Sequence, residues 1–441
     1  MALFFLIMIY LAFISLGLPD SLLGAAWPVM RGEFGASLDG AGWLYMTIAA
    51  GTIVSSLASG YVVKRLGTGR VTLLSCLMTA AALLGFALTP SIGWLYLFAI
   101  PLGLGAGSVD AALNHYVAAH YKAHHMSWLH CFWGVGATIG PIIMSAFISR
   151  DGAWRHGYFT ISGMQFALVV LLAVSLPLWG RMDRKHAQEK ARTERVNEGS
   201  GAEAEDRENE PLSGAAAGAA EADALPAAEM TREASAPVRP LRIRGVKFAL
   251  LSFLLYCGIE ATLGLWGSSY LAGIKGLSAD DAARWVSLYY GGITLGRFLA
   301  GFLTFRAGNL AMIRAGQIVA AAGALLLCLP LPVGFTTAGF LIVGLGLAPI
   351  FPCMLHETPV RFGQNAAQTL MGYQMATAYM GSTLMPPLLG WGASLFSLHI
   401  LPFYLLLLAG MMLLLSERLN ALTAKRTAGR GSGSFIETSG K

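Results

Sequence analysis

Charged residues are scarce in this chain of 441 residues and are unevenly placed along it. Only 12% of the residues are Asp, Glu, Lys or Arg, whereas 55% are hydrophobic and the mean hydropathy is +0.60. Residues 181–247 hold 25 of the 54 charged residues, so the rest of the chain is nearly free of charge. A soluble protein of this length could not bury so much apolar surface. The composition therefore excludes a soluble globular protein and predicts a membrane protein.

The chain also lacks the short motifs of common enzymes. It contains no Walker loop, no HExxH zinc motif and no nucleophile elbow, and no hydrophilic region is large enough for a catalytic or receptor domain. The five cysteines lie in apolar stretches and none belongs to a CxxC pair, so we expect packing residues rather than disulfides or metal ligands. These absences predict a protein that is not an enzyme and has neither a metal nor an organic cofactor.

Apolar runs long enough to cross a bilayer, about 20 residues each, fill most of the chain. Residues 1–15 have no basic segment of the kind that begins a cleavable signal peptide, so we expect the first run to be retained. The sequence predicts an all-α membrane protein with twelve transmembrane helices. The twelve runs lie at residues 3–29, 39–63, 71–90, 93–120, 127–149, 157–180, 246–272, 283–305, 310–331, 335–359, 367–394 and 398–416.

Basic residues accumulate in alternate connections between these runs. In the other connections the basic residues have acidic neighbours, as Arg31 has in Glu33. By the positive-inside rule both termini and the central connection are cytoplasmic, and the protein lies in the inner membrane of the cell. The net charge of +6 therefore indicates topology and not nucleic-acid binding. The basic positions that decide the orientation are Lys64, Arg65, Arg70, Lys122, residues 181–195, Arg306, Arg314, Arg418, Lys425, Arg426 and Arg430.

Composition also divides the chain into four parts. Residues 1–180 and 246–418 each contain six apolar runs. Residues 181–245 alternate between basic, acidic and Ala-rich stretches with few aromatic or branched apolar residues, so we expect a cytoplasmic linker that is largely disordered, with a weak surface helix at 181–196. Residues 419–441 form a cytoplasmic tail.

The two six-run halves share a pattern of spaced residues. When the second half is aligned with the first, many similar residues recur at nearly one sequence offset. This predicts two parallel repeats, an architecture in which transporters place a central site at the repeat interface. A shift of 241 residues aligns Gly51 with Gly292, Gly60 with Gly301, Arg65 with Arg306, Gly67 with Gly308, Gly103 with Gly344, Gly105 with Gly346 and His115 with His356. Shifts of 240 and 245 align Asp20 with Glu260, Gly24 with Gly264, Gly136 with Gly381 and Pro141 with Pro386.

Two carboxylates interrupt apolar runs. Asp20 lies in the first run and Asp110 in the fourth, where Asn114 follows four residues later and so falls on the same helix face. A carboxylate at bilayer depth costs at least ~2.5 kcal/mol, so it is found facing a bundle interior or a water-filled cavity. Such residues commonly move ions or bind transported solutes.

The connection between the second and third runs resembles the signature of the major facilitator superfamily. Residues 60–70 place Gly60, Arg65, Gly67 and Arg70 in a glycine and basic pattern, although Lys64 stands where the family has an acid. The second half carries a related pattern that includes Arg297. The resemblance implies a gating motif in which glycines allow close helix approach and arginines hold cytoplasmic helix ends; simple positive-inside anchoring is the alternative.

Other segments are similar to the fucose/proton symporter family. They are the glycine-rich run at 103–114 with Asp110 and Asn114, the segment at 129–141 with His130, and the tyrosine, glycine and acid pattern of Tyr256 to Glu260. The first run matches through Asp20, which lies eight residues before Pro28. The resemblance implies that the acids of runs one and four couple proton movement to sugar binding.

The three intramembrane acids therefore have expected roles. Burial disfavours the charged form of a carboxyl, so such a group can take a proton on one side and release it on the other. Asp110 is the preferred coupling acid, while Asp20 serves either in coupling or as a fixed acceptor for a substrate hydroxyl or amine. Glu260 coordinates substrate, pairs with a basic residue such as Arg297, or titrates itself.

Aromatic and amide side chains can supply the sugar contacts, because sugar rings stack on aromatic faces while amides and carboxylates bind hydroxyls. Most aromatics in such proteins instead form interface belts or pack against lipid. His130 relays protons or is an internal hydrogen-bonded residue. The expected substrate-binding residues are Asn114, His130, Trp133, Trp27, Tyr256, Trp266 and Gln374.

Together these patterns predict a monomeric secondary transporter, surrounded by membrane lipids, that takes up a sugar or polyol with protons by alternating access. Sodium is the alternative coupling ion. The alternative function is a proton-driven antiporter that exports drugs or amphiphilic metabolites. Paired acids and amides in the cavity would favour the sugar, whereas a large apolar cavity with one acid would favour the drug.

Overall fold

A computed structural model of the protein describes residues 2–121, 123–150, 153–208, 240–303 and 306–432. Within these ranges the structure is almost entirely helical and contains no β-strand. The helices are α1 (Ala2–Asp20), α2 (Leu22–Phe34), α3 (Gly40–Leu66), α4 (Thr68–Leu88), α5 (Ile92–His120), α6 (Ala123–Ile148), α7 (Trp154–Glu208), α8 (Val246–Gly273), α9 (Ala279–Leu303), α10 (Asn309–Cys328), α11 (Val333–Leu347), α12 (Ile350–Phe362), α13 (Gln364–Leu395) and α14 (Leu401–Ser432).

The chain forms two compact units, one of residues 1–176 with 240–441 and one of residues 177–239. The helix expected at 181–196 is part of α7. The predicted disorder of the linker falls mainly on residues 209–239, which lie outside the described residues, as do residues 433–441 of the predicted tail. The predicted domain boundaries stay predictions.

Ten segments of the described chain are long and apolar enough to cross a membrane. The other two of the twelve predicted spans correspond to Ala279–Leu303 and Gln364–Leu395, which are helices of similar length with a more polar composition. Both helices contribute polar side chains to the cavity inside the bundle, Arg297 from the first and Tyr379 and Ser382 from the second, so they do not face lipid on every side. The predicted all-α, twelve-helix membrane fold is confirmed.

The two halves repeat the same helix packing. In the first half α1 packs on α6, α3 on α5 and α4 on α5; in the second, α8 packs on α13, α9 on α11 and α10 on α11. The repeated glycines explain part of this equivalence. A Cβ atom on Gly103 would collide with the carbonyl oxygen of Ile48, and one on Gly344 would collide with that of Tyr289. The same small residue is needed at both positions because helix backbones approach closely there.

Two of the spans are interrupted. The first breaks between α1 and α2 at Ser21, two residues after Pro19, and the tenth breaks between α11 and α12 at Pro349. A proline removes one backbone donor and its ring crowds the preceding turn, so helix breaks at these positions are expected. Other prolines do not interrupt their helices, since α6 runs through Pro141 and α13 runs through its two adjacent prolines.

The halves meet through α6 with α9, α3 with α13, and α2 with α8. At the end of the bundle that carries Gly35 and Gly276, called here the closed end, backbones of the two halves touch: a Cβ on Gly24 would collide with the carbonyl oxygen of Gly264. At the opposite end, which carries Gly67 and is called the open end, a cavity separates the halves.

Candidate substrate cavity

The cavity between the halves has a volume of about 780 Å³ and reaches from the middle of the bundle to the open end. Apolar side chains form much of its wall. Polar and charged side chains converge in its inner part, while Asn309 and His356 line it near the open end. The other polar lining residues are Asp20, Tyr45, Thr52, Asp110, His130, Trp133, Tyr256, Glu260, Tyr290, Arg297, Tyr379 and Ser382.

Asp20 is the last residue of α1, at the break in the first span. Its Oδ2 atom accepts a hydrogen bond from Nε1 of Trp133, on α6, at 2.7 Å. Hydrogen bonds to an ionised group are among the strongest in proteins, so this bond fixes the orientation of both side chains. Asp20 faces the cavity and its side chain is exposed there. The carboxyl group is therefore deep in the bundle and still accessible to a solute or a proton.

Asp110 lies on α5 and lines the same cavity. The spacing of four residues has the expected effect, since Nδ2 of Asn114 donates to Oδ1 of Asp110 at 2.9 Å. The hydroxyl of Tyr379, on α13 in the other half, lies beside the same carboxyl. Asn114 itself does not line the cavity, so its contact is with Asp110 and not with a bound solute. Asp110 thus faces residues of both halves.

Glu260 and Arg297 form an ion pair in the cavity wall, with Nη2 of Arg297 at 3.5 Å from Oε1 of Glu260. The two side chains are only 18% and 14% exposed. The Arg297 guanidinium lies over the ring of Trp133 at 5.2 Å from its centroid, in cation–π geometry. Arg297 lies six residues before the end of α9, and its predicted role in a cytoplasmic gating motif stays a prediction.

His130 and Tyr256 also reach the cavity, as expected. The His130 ring packs edge-on against Phe13 at 6.0 Å between centroids. The Tyr256 hydroxyl is buried and has no hydrogen-bond partner of standard geometry within the described part of the chain. It lies beside the Glu260 carboxylate and the Arg297 guanidinium, so these two charged groups are its nearest candidates for hydrogen bonding.

Three residues expected to bind substrate are elsewhere. Trp27 is buried against Gly40, and Trp266 donates from Nε1 to the carbonyl oxygen of Pro386 at 2.8 Å. Gln374 is buried and accepts a hydrogen bond at 2.9 Å from a threonine hydroxyl on α12. None of the three lines the cavity. Their side chains stabilise helix packing in this conformation.

The motif between α3 and α4 lies at the open end. Gly67 forms the turn with φ of +79°, a conformation that favours glycine. The Arg65 guanidinium packs over the ring of Tyr61, 4.3 Å from its centroid, and Arg70 is exposed. A Cβ on Gly60 would meet no atom within 4 Å. The structure therefore shows no close helix approach at Gly60.

Sequence reasoning missed Tyr45 and Asn309 as cavity residues. Tyr45 lies near the start of α3, in a stretch without charge or repeat signal, and Asn309 begins α10. Among the described residues no group of three or more His, Cys, Asp or Glu side chains could hold a metal ion.

Comparison with known proteins identifies the family. The sequence profile of the Major Facilitator Superfamily matches residues 9–386. The chain is 23% identical over 305 residues to Bypass of stop codon protein 6 of Saccharomyces cerevisiae, covering 67% of this chain. It is 26% identical over 161 residues to the niacin transporter NiaP of Acinetobacter baylyi, covering 33% of this chain. The matches span 56% and 35% of these two relatives.

Solved structures share the fold at low identity. A mutant of the nucleoside transporter NupG superimposes with a TM-score of 0.66 and 13% identity, covering 94% of this chain and 98% of that one. A bacterial homologue of the human lysosomal transporter Spinster, inward-facing and unoccupied, superimposes with a TM-score of 0.63 and 12% identity, covering 95% of each chain. The narrower resemblance to fucose/proton symporters stays a prediction. The chain is a multi-pass membrane protein and belongs to the Major Facilitator Superfamily.

Proposed function

We propose that this protein is a proton-coupled symporter that takes up a sugar or sugar-like polyol by alternating access. The observation that carries the proposal is the position of Asp20 and Asp110, two carboxyls at membrane depth that open onto one cavity between the halves. The cavity holds a monosaccharide easily, since small-molecule sites are typically about 300–1,000 Å³.

The polar groups of the cavity suit a polyol. Carboxylates accept hydrogen bonds from sugar hydroxyls, and the hydroxyls of Tyr45, Tyr256, Tyr290 and Tyr379 both donate and accept. Aromatic rings beside these groups offer faces on which a pyranose can stack. Three acids in the wall, rather than one, favour the sugar over an amphiphilic drug.

Coupling follows from the two states of a carboxyl. A solute that binds more tightly when Asp110 is neutral also makes Asp110 bind its proton more tightly, by the same factor. Because Asp110 faces Tyr379 across the interface, a change in its charge alters a contact between the halves as well as the site itself.

The end at which the cavity opens supports inward access in this conformation. With both termini in the cytoplasm of a cell whose inner membrane holds the protein, the open end faces inward. The path lies within one chain, so a monomer suffices. Closing the open end and opening the contact of α2 with α8 would expose the same acids to the outside.

The test is solute-driven proton movement in proteoliposomes that hold the purified full-length protein and a pH-sensitive dye. Hexoses and deoxyhexoses are screened together with uridine and nicotinate, the solute classes named for NupG and NiaP. We expect one or more sugars to drive protons inward, and Asp110→Asn to lower this flux at least tenfold. Asp280→Asn, in the first turn of α9 at the closed end, is the matched control and keeps the flux.

Two results would overturn the proposal. A sugar flux that depends on a sodium gradient and not on pH would show that the coupling ion is sodium and not the proton. If no sugar moves protons but amphiphilic cations collapse a preset pH gradient, the protein is an antiporter, a function favoured by the many apolar residues in the cavity wall.

A further inference from the structure

The guanidinium of Arg297 is held loosely for a charged group at membrane depth. One of its nitrogen atoms lies 3.5 Å from one oxygen of Glu260. In contrast Arg314 makes two hydrogen bonds to Glu417, of 2.6 and 2.7 Å, in the side-by-side geometry typical of a strong arginine–carboxylate pair. The better pair is exposed and the looser one is buried. Arg297 therefore keeps donors that Glu260 does not satisfy.

The surroundings of Arg297 complete a binding site in the cavity. Trp133 covers one face of the guanidinium, which fixes its plane. Tyr256 lines the same cavity, and its buried hydroxyl lies beside both Arg297 and Glu260. A planar guanidinium that meets Glu260 through one nitrogen and one oxygen at 3.5 Å can bind a second carboxylate, which would take two parallel hydrogen bonds from it.

Resting on the proposed function, we propose that the substrate is a polyhydroxylated monocarboxylate, a sugar acid, whose carboxylate binds Arg297 in place of Glu260. A neutral sugar carries no charge that could take the place of Glu260 at the guanidinium, and unpaired charges are costly at this depth, so only an anionic substrate can exchange with Glu260. Asp20 and Asp110 remain available to accept hydrogen bonds from the hydroxyl groups of the same molecule.

The exchange of carboxylates explains coupling at this site. When the substrate takes Arg297, Glu260 loses its partner in a largely apolar cavity that also holds Asp20. An uncompensated negative charge is costly at this depth, so one proton enters the carboxyls of the cavity together with the anion. One anion and one proton then cross together, and the cycle moves no net charge. Release of the substrate on the inner side returns Arg297 to Glu260 and frees the proton.

Binding to the purified full-length protein tests this without any substitution. The probes are D-glucuronate, D-galacturonate and D-gluconate, each compared with its neutral amide, in which a carboxamide replaces the carboxylate. We expect at least one acid to bind ten or more times as tightly as its amide. Binding in two buffers of different ionisation enthalpy is expected to reveal uptake of one proton per acid bound.

Three variants locate the contact. Arg297→Gln is expected to weaken acid binding at least tenfold and amide binding less than threefold. Glu260→Gln keeps acid binding, because the competitor of the substrate is gone, but abolishes the proton uptake. Arg314→Gln is the matched control: it breaks the stronger ion pair outside the cavity and leaves binding of the acids unchanged.

The outcomes separate this inference from the proposed function. If each acid and its amide bind equally while a sugar still drives protons, the sugar-acid inference is wrong and the symporter stands. If nicotinate binds through Arg297 and no sugar acid binds, both proposals name the wrong substrate class, because both require a polyhydroxylated solute. If neither acids, amides nor neutral sugars bind or move protons, both proposals fall.

Discussion

The contact between Gly24 and Gly264 at the closed end gives a direct way to shift the transporter between conformations. Alanine at position 24 would place a methyl group against three backbone atoms of α8: the carbonyl oxygen of Gly264, and the carbonyl oxygen and Cα of Leu265 at 2.9 and 3.0 Å. Backbone atoms cannot move aside as a flexible side chain can. We therefore expect Gly24→Ala to force α2 away from α8.

The size of the effect follows from overpacking energies. Adding a methyl group to a tightly packed contact costs about 1–3 kcal/mol. This cost affects only the conformation in which the closed end is shut. Because about 1.4 kcal/mol corresponds to a tenfold change in an equilibrium constant, the ratio of the two conformations changes by a factor of roughly 5 to 150. An equal mixture would become mostly open at this end.

Distance measurement between spin labels on the two halves checks this expectation. Ser37 and Ser394 are exposed near the closed end and belong to different halves, so each is replaced by a labelled cysteine in a protein without its five natural cysteines. Gly24→Ala should increase the population at longer distances. Gly32→Ala lies on the same helix, where an added methyl group meets nothing within 4 Å, and should leave the distances unchanged. If Gly24→Ala and Gly32→Ala both fold and give equal distances, the contact between Gly24 and Gly264 does not keep this end of the transporter closed.

Three further predictions concern packing and the site. Gly103→Ala should lower the thermal unfolding temperature, because the added carbon meets a backbone carbonyl, whereas Gly60→Ala should not; equal effects would contradict the packing assigned to the two glycines. Gln374→Ala should reduce the free energy of unfolding by about 1–2 kcal/mol through loss of a buried hydrogen bond, and should change solute affinity less than twofold. A large loss of affinity would show that Gln374 binds the solute. Trp133→Phe should lower solute-driven proton flux about tenfold, since hydrogen bonds to charged groups contribute about 1.5–3 kcal/mol. In a double variant with Asp20→Asn it should cause no further loss of flux. Additive losses would show that the two residues act independently.

The sequence was sufficient for the fold because the bilayer imposes strong rules on composition. Apolar runs of fixed minimum length, a repeated glycine pattern and an uneven distribution of basic residues predicted twelve helices in two related halves. The spacing of Asp110 and Asn114 predicted their contact, since residues four apart share a helix face. The rarity of acids inside apolar runs predicted that Asp20 and Asp110 face the interior, and both line the cavity.

Only the tertiary structure decided which other residues form the site. A membrane helix is apolar on the side facing lipid and on the side facing its neighbours, so periodicity does not separate cavity from packing. That is why Trp133 lines the cavity while Trp27 and Trp266 are buried between helices. Arg297 lies six residues before the end of α9, about 9 Å inside that end, where Glu260 and Trp133 meet it. Pairing of this kind joins separate helices, and no distance along the sequence encodes it.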